Sequence, residues 1–386
     1  MKILYPYPMK LSNGYSYMLS ILQFLNALAD FIDIQIYSLD SSKEIEDYFK
    51  NTLGLEKNQN LKIQTIKNKF LFVKSNKFIF FHNLKQEILK LEIDDYIIYS
   101  RDFKQMKLCL RSFKKMSNIK FVFEAHQIFS NNLEARGDIA NSRKMRKLEE
   151  YVFNNTDYLI SITSTLKDEI LRQFSPSSNL DLILPVGFNA DFLQTTNNKK
   201  DIDIIYVGNF SKWKGLDILI KAVQIIKFKY KINLKVVLIG ARKKDLEEYK
   251  NICREFNVFD EIDIMERSMH KKILEYLQRS KIGALPVKCL DDGNLFTSPL
   301  KLYEYLGVGL KVVAAALPSI KSNISDDLVY FFEPEDAEDM AKKIIFALND
   351  QSFNILKVKN FARNYTWNSR AKKFLRFVNE NISSQV

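Results

Sequence analysis

Two charged residues of opposite sign, Lys301 and Glu304, lie three positions apart at the start of a clearly marked helix. Ser298 and Pro299 stand directly before it, and Ser followed by Pro is a strong signal for a helix N-terminus. Residues i and i+3 share one helical face, so the lysine and the glutamate are predicted to be neighbours. Backbone amides at a helix start favour an anion. The pattern allows a lysine that binds phosphate beside a carboxylate that accepts sugar hydroxyls, or simply a surface ion pair.

A second loop with the same potential is YVGNFSKWKGLDILI, where a strand ends at Gly208 and a helix opens near Leu216. Lys214 stands at this helix start, with Lys212 close by. On its own, this loop is equally consistent with a phosphate site and with a simple turn whose lysine faces solvent. Two phosphate-type helix starts in one domain, however, favour a ligand that contains a nucleoside diphosphate.

Short apolar runs alternate with longer amphipathic stretches along the sequence. This alternation predicts βαβ units with parallel sheets, and these strands and helices must position the two loops. The first predicted strands are residues 2–5, 34–38, 96–99, 120–124 and 158–162. The polar segment 194–200 is predicted to be a linker, after which the rhythm restarts at 203–208. We therefore expect two doubly wound α/β domains, 1–193 and 201–364, with a cleft between them. A terminal helix, 365–386, would pack on one domain or across both.

Composition limits the class of protein. Hydrophobic residues make up 46% and charged residues 27%, as in a globular protein, and the net charge is +12. No nucleic-acid motif accompanies that charge. Three scattered cysteines and three scattered histidines suggest neither disulfides nor a metal site. No signal peptide or membrane span is evident, so a cytoplasmic protein is expected. The basic segments 61–80 and 101–120 predict either a solvated face or contact with an anionic membrane surface.

Several segments together resemble the retaining GT-B glycosyltransferases of glycosyltransferase family 4, also called group 1. The closest matches are YVGNFSKWKGLDILIKA (206–222) and SPLKLYEYLGVGLKVVAA (298–315). ILPVGFNADF (183–192) and TWNSRAKKFL (366–375) are similar to the family's segment before the linker and to its terminal helix. In the first domain the match is looser and rests on Gly14, YSRD (99–102) and FEAHQIF (123–129).

The resemblance implies two Rossmann-like parallel-sheet domains that face a central cleft, and a metal-independent transfer from a nucleotide-sugar, with UDP expected, to a glycan or lipid-linked acceptor. No cofactor and no nucleic-acid partner are expected. Carried over to this sequence, the catalytic positions are His126, Lys214 and Glu304. The donor-binding positions are Gly14, Asn209, Lys214, Arg242, Phe296, Thr297, Ser298, Pro299, Leu300, Lys301 and Glu304.

In this carry-over Lys214 binds the diphosphate, Glu304 accepts from ribose hydroxyls, and the amides near Ser298 hold phosphate or sugar. His126 lies near the donor sugar, and Gly14 lets the first loop approach the donor.

The sequence departs from the family pattern at two positions. The family carries two glutamates separated by seven residues, but Phe296 stands where the first would be. Asn209 replaces a basic residue, whose charge Lys301 or Arg242 would supply. These departures leave two alternatives open, a GT-B-fold sugar-nucleotide epimerase and a catalytically degenerate partner subunit.

Other charged residues are given structural roles. Arg101 and Asp102 are expected to form an ion pair with each other, and His82 and His270 are expected at the surface.

Overall fold

The computed structural model of the chain describes residues 1–13, 16–68, 77–91, 95–177, 179–194, 198–288, 298 and 300–382. It divides into two compact units, Met1–Val186 with Trp367–Val386, and Gly187–Thr366. The division differs from the sequence-based boundaries, because the first unit ends before the predicted linker at 194–200. The last helix belongs to the first unit rather than forming a separate segment.

In the described part of the first unit, seven parallel strands form one sheet in the order β3-β2-β1-β4-β5-β6-β7. They are β1 Lys2–Pro6, β2 Ile34–Ser38, β3 Leu61–Thr65, β4 Tyr96–Ser100, β5 Ile119–Ala125, β6 Tyr158–Ser161 and β7 Asn179–Ile183. The helices between them are α1 Ser16–Leu28, α2 Ser42–Tyr48, α3 Lys77–Ile88, α4 Phe103–Phe113, α5 Phe129–Ala135, α6 Ile139–Asn155 and α7 Ser164–Phe174.

The described part of the second unit contains six parallel strands in the order β10-β9-β8-β11-β12-β13. They are β8 Ile202–Val207, β9 Val236–Ala241, β10 Ile262–Glu266, β11 Ser280–Leu285, β12 Lys311–Ala315 and β13 Tyr330–Phe332. The helices are α8 Leu216–Lys229, α9 Lys243–Glu255, α10 His270–Gln278, α11 Leu300–Val308, α12 Pro318–Lys321, α13 Ala337–Asn349 and α14 Ile355–Arg363. The chain ends with α15 Trp367–Ile382, in the first unit.

The predicted doubly wound parallel sheets are therefore confirmed in both units. Strands that the sequence analysis did not predict are β3, β7 and β13, and all three are edge strands. A central strand such as β9 is buried at every position, which produces a continuous apolar run. An edge strand such as β3 is buried only at Leu61 and is exposed at Lys62 and Thr65, so its apolar pattern is weak.

The helix α11 continues through Gly307 and ends at Val308. A Cβ atom on Gly307 would lie only 2.5 Å from the ring of Phe188, so the glycine permits close packing within the helix. Gly309, with φ +85°, is the residue that follows the helix end. Among the described helices, none is both long and apolar enough to cross a membrane.

Candidate functional site

The strand order of the second unit creates a switch point between β8 and β11. The chain winds from β8 towards β9 and β10 on one side, and from β11 towards β12 and β13 on the other. Loops that leave the carboxyl ends of two such strands diverge, and ligands of open α/β sheets bind in the crevice there. Lys214 follows β8, and Lys301 and Glu304 follow β11. The fold therefore brings both sequence-predicted loops to one crevice.

The turn that carries Lys214 is fixed against the segment after β11. A short 3-10 helix, Lys212–Lys214, ends at Gly215, whose φ of +69° favours glycine. A Cβ atom on Gly215 would lie 1.8 Å from the carbonyl oxygen of Pro286, so no other residue fits. The amide of Lys288 donates to the carbonyl of Trp213 at 2.9 Å. The position of Lys214 is thus set by backbone contacts between two loops.

Lys214 lies in an environment that disfavours its own charge. Burial, together with the nearby positive charge of Lys301, lowers the pKa of its ammonium to about 8. Its Nζ atom lies 3.6 Å from the centroid of the Trp213 ring, a cation–π contact that stabilises the charged form. A desolvated cation near a second cation is stabilised when an anion binds between them. The arrangement therefore suits a phosphate or diphosphate.

Lys301 and Glu304 form the predicted neighbouring pair. The Nζ atom of Lys301 donates to Oε2 of Glu304 at 2.5 Å. The glutamate side chain is only 6% exposed and the lysine side chain 27%. This burial contradicts the interpretation of the pair as a solvated surface ion pair. A desolvated carboxylate beside a half-buried ammonium can accept hydrogen bonds from ligand hydroxyls, while the ammonium offers further donors.

Aromatic packing sets the orientation of α11, and so of Glu304. The hydroxyl of Tyr305 accepts a hydrogen bond of 2.8 Å from the amide of Val207 at the end of β8. Gly283 makes room for the Tyr305 ring, since a Cβ atom there would lie 2.4 Å from it. One residue before Glu304, Tyr303 stacks on Tyr365 with ring centroids 4.3 Å apart. Both neighbours of Glu304 are therefore locked in place.

Of the other predicted donor-binding positions, Ser298 is buried and hydrogen-bonded to Tyr303, and Leu300 begins α11. Asn209 is exposed, and its side-chain oxygen accepts from the amide of Ser211. Gly14, Phe296, Thr297 and Pro299 lie outside the described residues.

Arg242 immediately follows β9 and precedes α9. Its guanidinium binds both oxygens of Asp245, with distances of 2.8 Å. The charge of Arg242 is thus already paired within its own helix start, whereas Lys301 lies beside Lys214.

His270 is a residue of this region that the sequence analysis placed at the surface. The structure corrects that expectation: the residue is half-buried, and its ring meets Phe192 edge to face at 4.6 Å between centroids. Burial lowers the pKa of His270, and Glu304 and Lys301 act on it with opposite signs. His270 opens α10, at the carboxyl end of β10. That position after a strand was the signal that could have identified it.

In the first unit, His126 follows β5, one strand beyond the switch point between β1 and β4. Its Nε2 atom lies 2.7 Å from Oε1 of Glu124, whose carboxylate is completely buried. Arg101 and Arg370 also pair with Glu124, at 3.1 and 2.7 Å. The expected pair of Arg101 with Asp102 is therefore wrong.

Asp102 has a different partner, because it caps α4 through the amide of Gln105. Asp102 thus has a structural role at a helix start, and Arg101 is free to join the buried cluster around Glu124.

Residues 188–368 match the protein-family model described as "Glycosyl transferases group 1". An "Uncharacterized glycosyltransferase" of Haemophilus influenzae is 25% identical over 60% of this chain and 61% of its own length. The "Amylovoran biosynthesis glycosyltransferase AmsK" of Erwinia amylovora is 23% identical over 55% of this chain and 52% of its own. The chain thus matches less than two thirds of the length of these two relatives.

Among solved structures, HepE of Anabaena in complex with UDP is similar over 98% of this chain and 100% of its own, with a TM-score of 0.74 and 12% identity. At that identity the likeness concerns the fold alone. Together with the two parallel sheets it confirms the predicted fold class, GT-B with two Rossmann-like domains.

Proposed function

We propose that this chain, whose residues 188–368 match the family model of group 1 glycosyl transferases, transfers a sugar from a nucleotide-sugar donor to an acceptor. The proposal rests above all on one observation: the second unit places Lys214, Lys301 and Glu304 at the switch point of its sheet. In this proposal Lys214 binds the donor diphosphate, and Glu304 accepts hydrogen bonds from the ribose hydroxyls.

The rate enhancement would come mainly from stabilising the leaving group. As the bond between the sugar and the diphosphate breaks, negative charge grows on the diphosphate oxygens. The ammonium groups of Lys214 and Lys301 and the amides at the start of α11 would already be oriented towards that charge, which is electrostatic preorganisation. No step in this scheme requires a metal ion. We propose further that the anomeric configuration is retained, as the family resemblance implies, and that His126 contacts the donor sugar.

UDP is the proposed nucleotide. Support comes from HepE, which has a similar fold and was solved in complex with UDP. The proposed pathway is the assembly of a surface polysaccharide, a lipooligosaccharide or a glycoprotein glycan on the cytoplasmic side of a bacterial membrane. AmsK, a relative described as an amylovoran biosynthesis glycosyltransferase, supports the first of these.

A lipid-linked acceptor would bring the chain to an anionic membrane surface, and exposed basic residues support that part of the proposal. Lys104 and Arg111 are exposed on α4, within the basic segment 101–120, whereas much of the segment 61–80 lies outside the described residues. Co-sedimentation with liposomes that contain anionic lipid tests the idea. Equal binding to neutral and anionic liposomes would contradict it.

The central experiment incubates the purified chain with a panel of UDP- and GDP-sugars and measures release of the nucleoside diphosphate with and without acceptor. Thermal stabilisation by UDP and GDP identifies the base first. Acceptor-dependent release is expected from a transferase. An epimerase would instead convert one sugar-nucleotide into another, and a degenerate subunit would bind without any turnover. Either of those outcomes would overturn the proposed function.

A further inference from the structure

A buried charged cluster in the first unit centres on Glu124. Its carboxylate accepts hydrogen bonds from the hydroxyl of Tyr99 at 2.6 Å and from Arg370 at 2.7 Å. Arg101 lies 3.1 Å away on the other oxygen, and Nε2 of His126 lies 2.7 Å from that same oxygen. A carboxylate with no exposed surface and four polar partners is fixed in position. His126 is the most exposed of these four partners. Its side chain is 31% exposed, against 11% for Arg101.

The ionisation state of Glu124 determines which ring nitrogen of His126 carries hydrogen. Burial opposes ionisation, but Arg101 and Arg370 outweigh it and hold the pKa of this carboxyl well below its usual range. An ionised carboxylate only accepts hydrogen bonds. The 2.7 Å contact therefore requires that Nε2 of His126 donates. In the neutral ring, Nδ1 is then the nitrogen that can accept a hydrogen bond from a ligand.

The two arginines have a second consequence for the same ring. A lone carboxylate beside a histidine stabilises the imidazolium and raises the pKa of the ring. Here burial lowers the pKa of His126, and the charges of Arg101 and Arg370 oppose the influence of Glu124. These groups come from the end of β4, from β5 and from α15, and the Tyr99 hydroxyl beside them is neutral because burial raises its pKa. The cluster thus orients the ring without charging it.

We infer that Glu124 is a positioning residue for His126, which fixes the tautomer with hydrogen on Nε2, and that burial together with the positive charges of Arg101 and Arg370 keeps the ring uncharged. Nδ1 of His126 is then a ready acceptor for a ligand hydroxyl. The role of that acceptor in catalysis rests on the proposed function, whereas the state of the ring does not. Arg370 of α15 thereby acts on the predicted catalytic histidine, His126, through Glu124.

The test is a pH titration of the whole chain labelled with ¹⁵N-histidine and followed by two-dimensional NMR of the ring nitrogens. With only three histidines in the sequence, single substitutions of His82 and His270 assign the signals of His126. We expect the Nε2–H tautomer at neutral pH and a pKa below the usual value for histidine. A ring that carries its hydrogen on Nδ1 would overturn the inference.

Variants separate positioning from mere stability. Arg370→Gln removes one positive charge, so the pKa of His126 should rise, while Arg370→Lys keeps the charge and the pKa. Tyr99→Phe removes one hydrogen bond to Glu124 without a charge and should leave the tautomer unchanged. Glu124→Gln can face the ring with its amide oxygen or nitrogen and should populate both tautomers.

If the Arg370→Gln variant fails to fold, the tautomer of the unmodified chain still decides the question. An unchanged pKa of His126 in folded Arg370→Gln would contradict the role of the arginines. If the chain transfers no sugar, the proposed function fails but the ring measurement stands. If it does transfer sugar, the acidic limb of its pH–rate profile should move to higher pH in Arg370→Gln, because the pKa of His126 rises.

Discussion

The ammonium of Lys301 lies 2.5 Å from the carboxylate of Glu304, one helical turn further along α11, and the carboxylate is almost entirely buried. Exposed pairs with the same spacing contribute little, since water screens both charges. Here the glutamate is largely shielded from water, so a ligand hydroxyl that donates to it meets a fixed acceptor with little solvent to displace. The pair therefore suits ligand recognition better than helix stability.

Replacing Glu304 with Gln should weaken binding of the nucleoside diphosphate about tenfold. The substitution keeps the shape but removes a charged acceptor, and hydrogen bonds to charged groups contribute about 1.5–3 kcal/mol. Isothermal titration calorimetry measures the change. The matched control is Glu247→Gln, because Glu247 pairs with Lys250 at the same i,i+3 spacing but is 70% exposed. If the two variants bind the nucleoside diphosphate with equal affinity, Glu304 does not contribute to the binding site.

Donor affinity should depend on pH through Lys214. Its pKa of about 8 in the free chain means that affinity is highest below pH 8 and falls as the pH rises above it, because only the charged form attracts diphosphate. Calorimetry in buffers of different ionisation enthalpy should therefore detect proton uptake on binding near pH 8.

Lys214→Arg keeps its charge throughout this range and should abolish both the pH dependence and the proton uptake. Lys212→Met, on the same turn but exposed, should behave like the unmodified chain. Proton uptake that persists in Lys214→Arg would assign the titration to another group.

The Gly215 turn should tolerate no side chain. Gly215→Ala is expected to lower the free energy of unfolding by several kcal/mol and to reduce nucleotide affinity, because the new Cβ atom would overlap the Pro286 carbonyl. Gly54→Ala is the control, since Gly54 has a similar φ of +65° with nothing within 4 Å. It should lose only about 1 kcal/mol from backbone strain. Urea denaturation measures the free energy of unfolding of both variants. Equal losses would show that backbone strain alone, and not the overlap with Pro286, destabilises Gly215→Ala.

His270→Leu should stabilise the free chain while weakening donor binding. Among the described residues, its buried Nε2 atom has no hydrogen-bond partner, which costs about 1–3 kcal/mol. Leucine removes that cost, yet it also removes a polar group near Lys301 and Glu304. Thermal unfolding with and without UDP measures the two effects. His82→Leu, at an exposed position, should change neither.

The sequence determined the class of fold and the two lysine-bearing loops, because both depend on local information. Central strands such as β9 are buried along their whole length and so read as apolar runs, and the i,i+3 spacing of Lys301 and Glu304 places both on one face of α11. Edge strands such as β13 escaped notice, since they are short and half-exposed.

Only the tertiary structure decided which charges meet. Glu304 is almost entirely buried, and its neighbours Tyr303 and Tyr305 contact residues far away in sequence. Arg370 reaches Glu124 across 246 positions of the chain. The local sequence pattern indicates the face of an element on which a residue lies, but burial and charge pairing depend on long-range packing. The lowered pKa values of Lys214 and His126 therefore follow only from the folded chain.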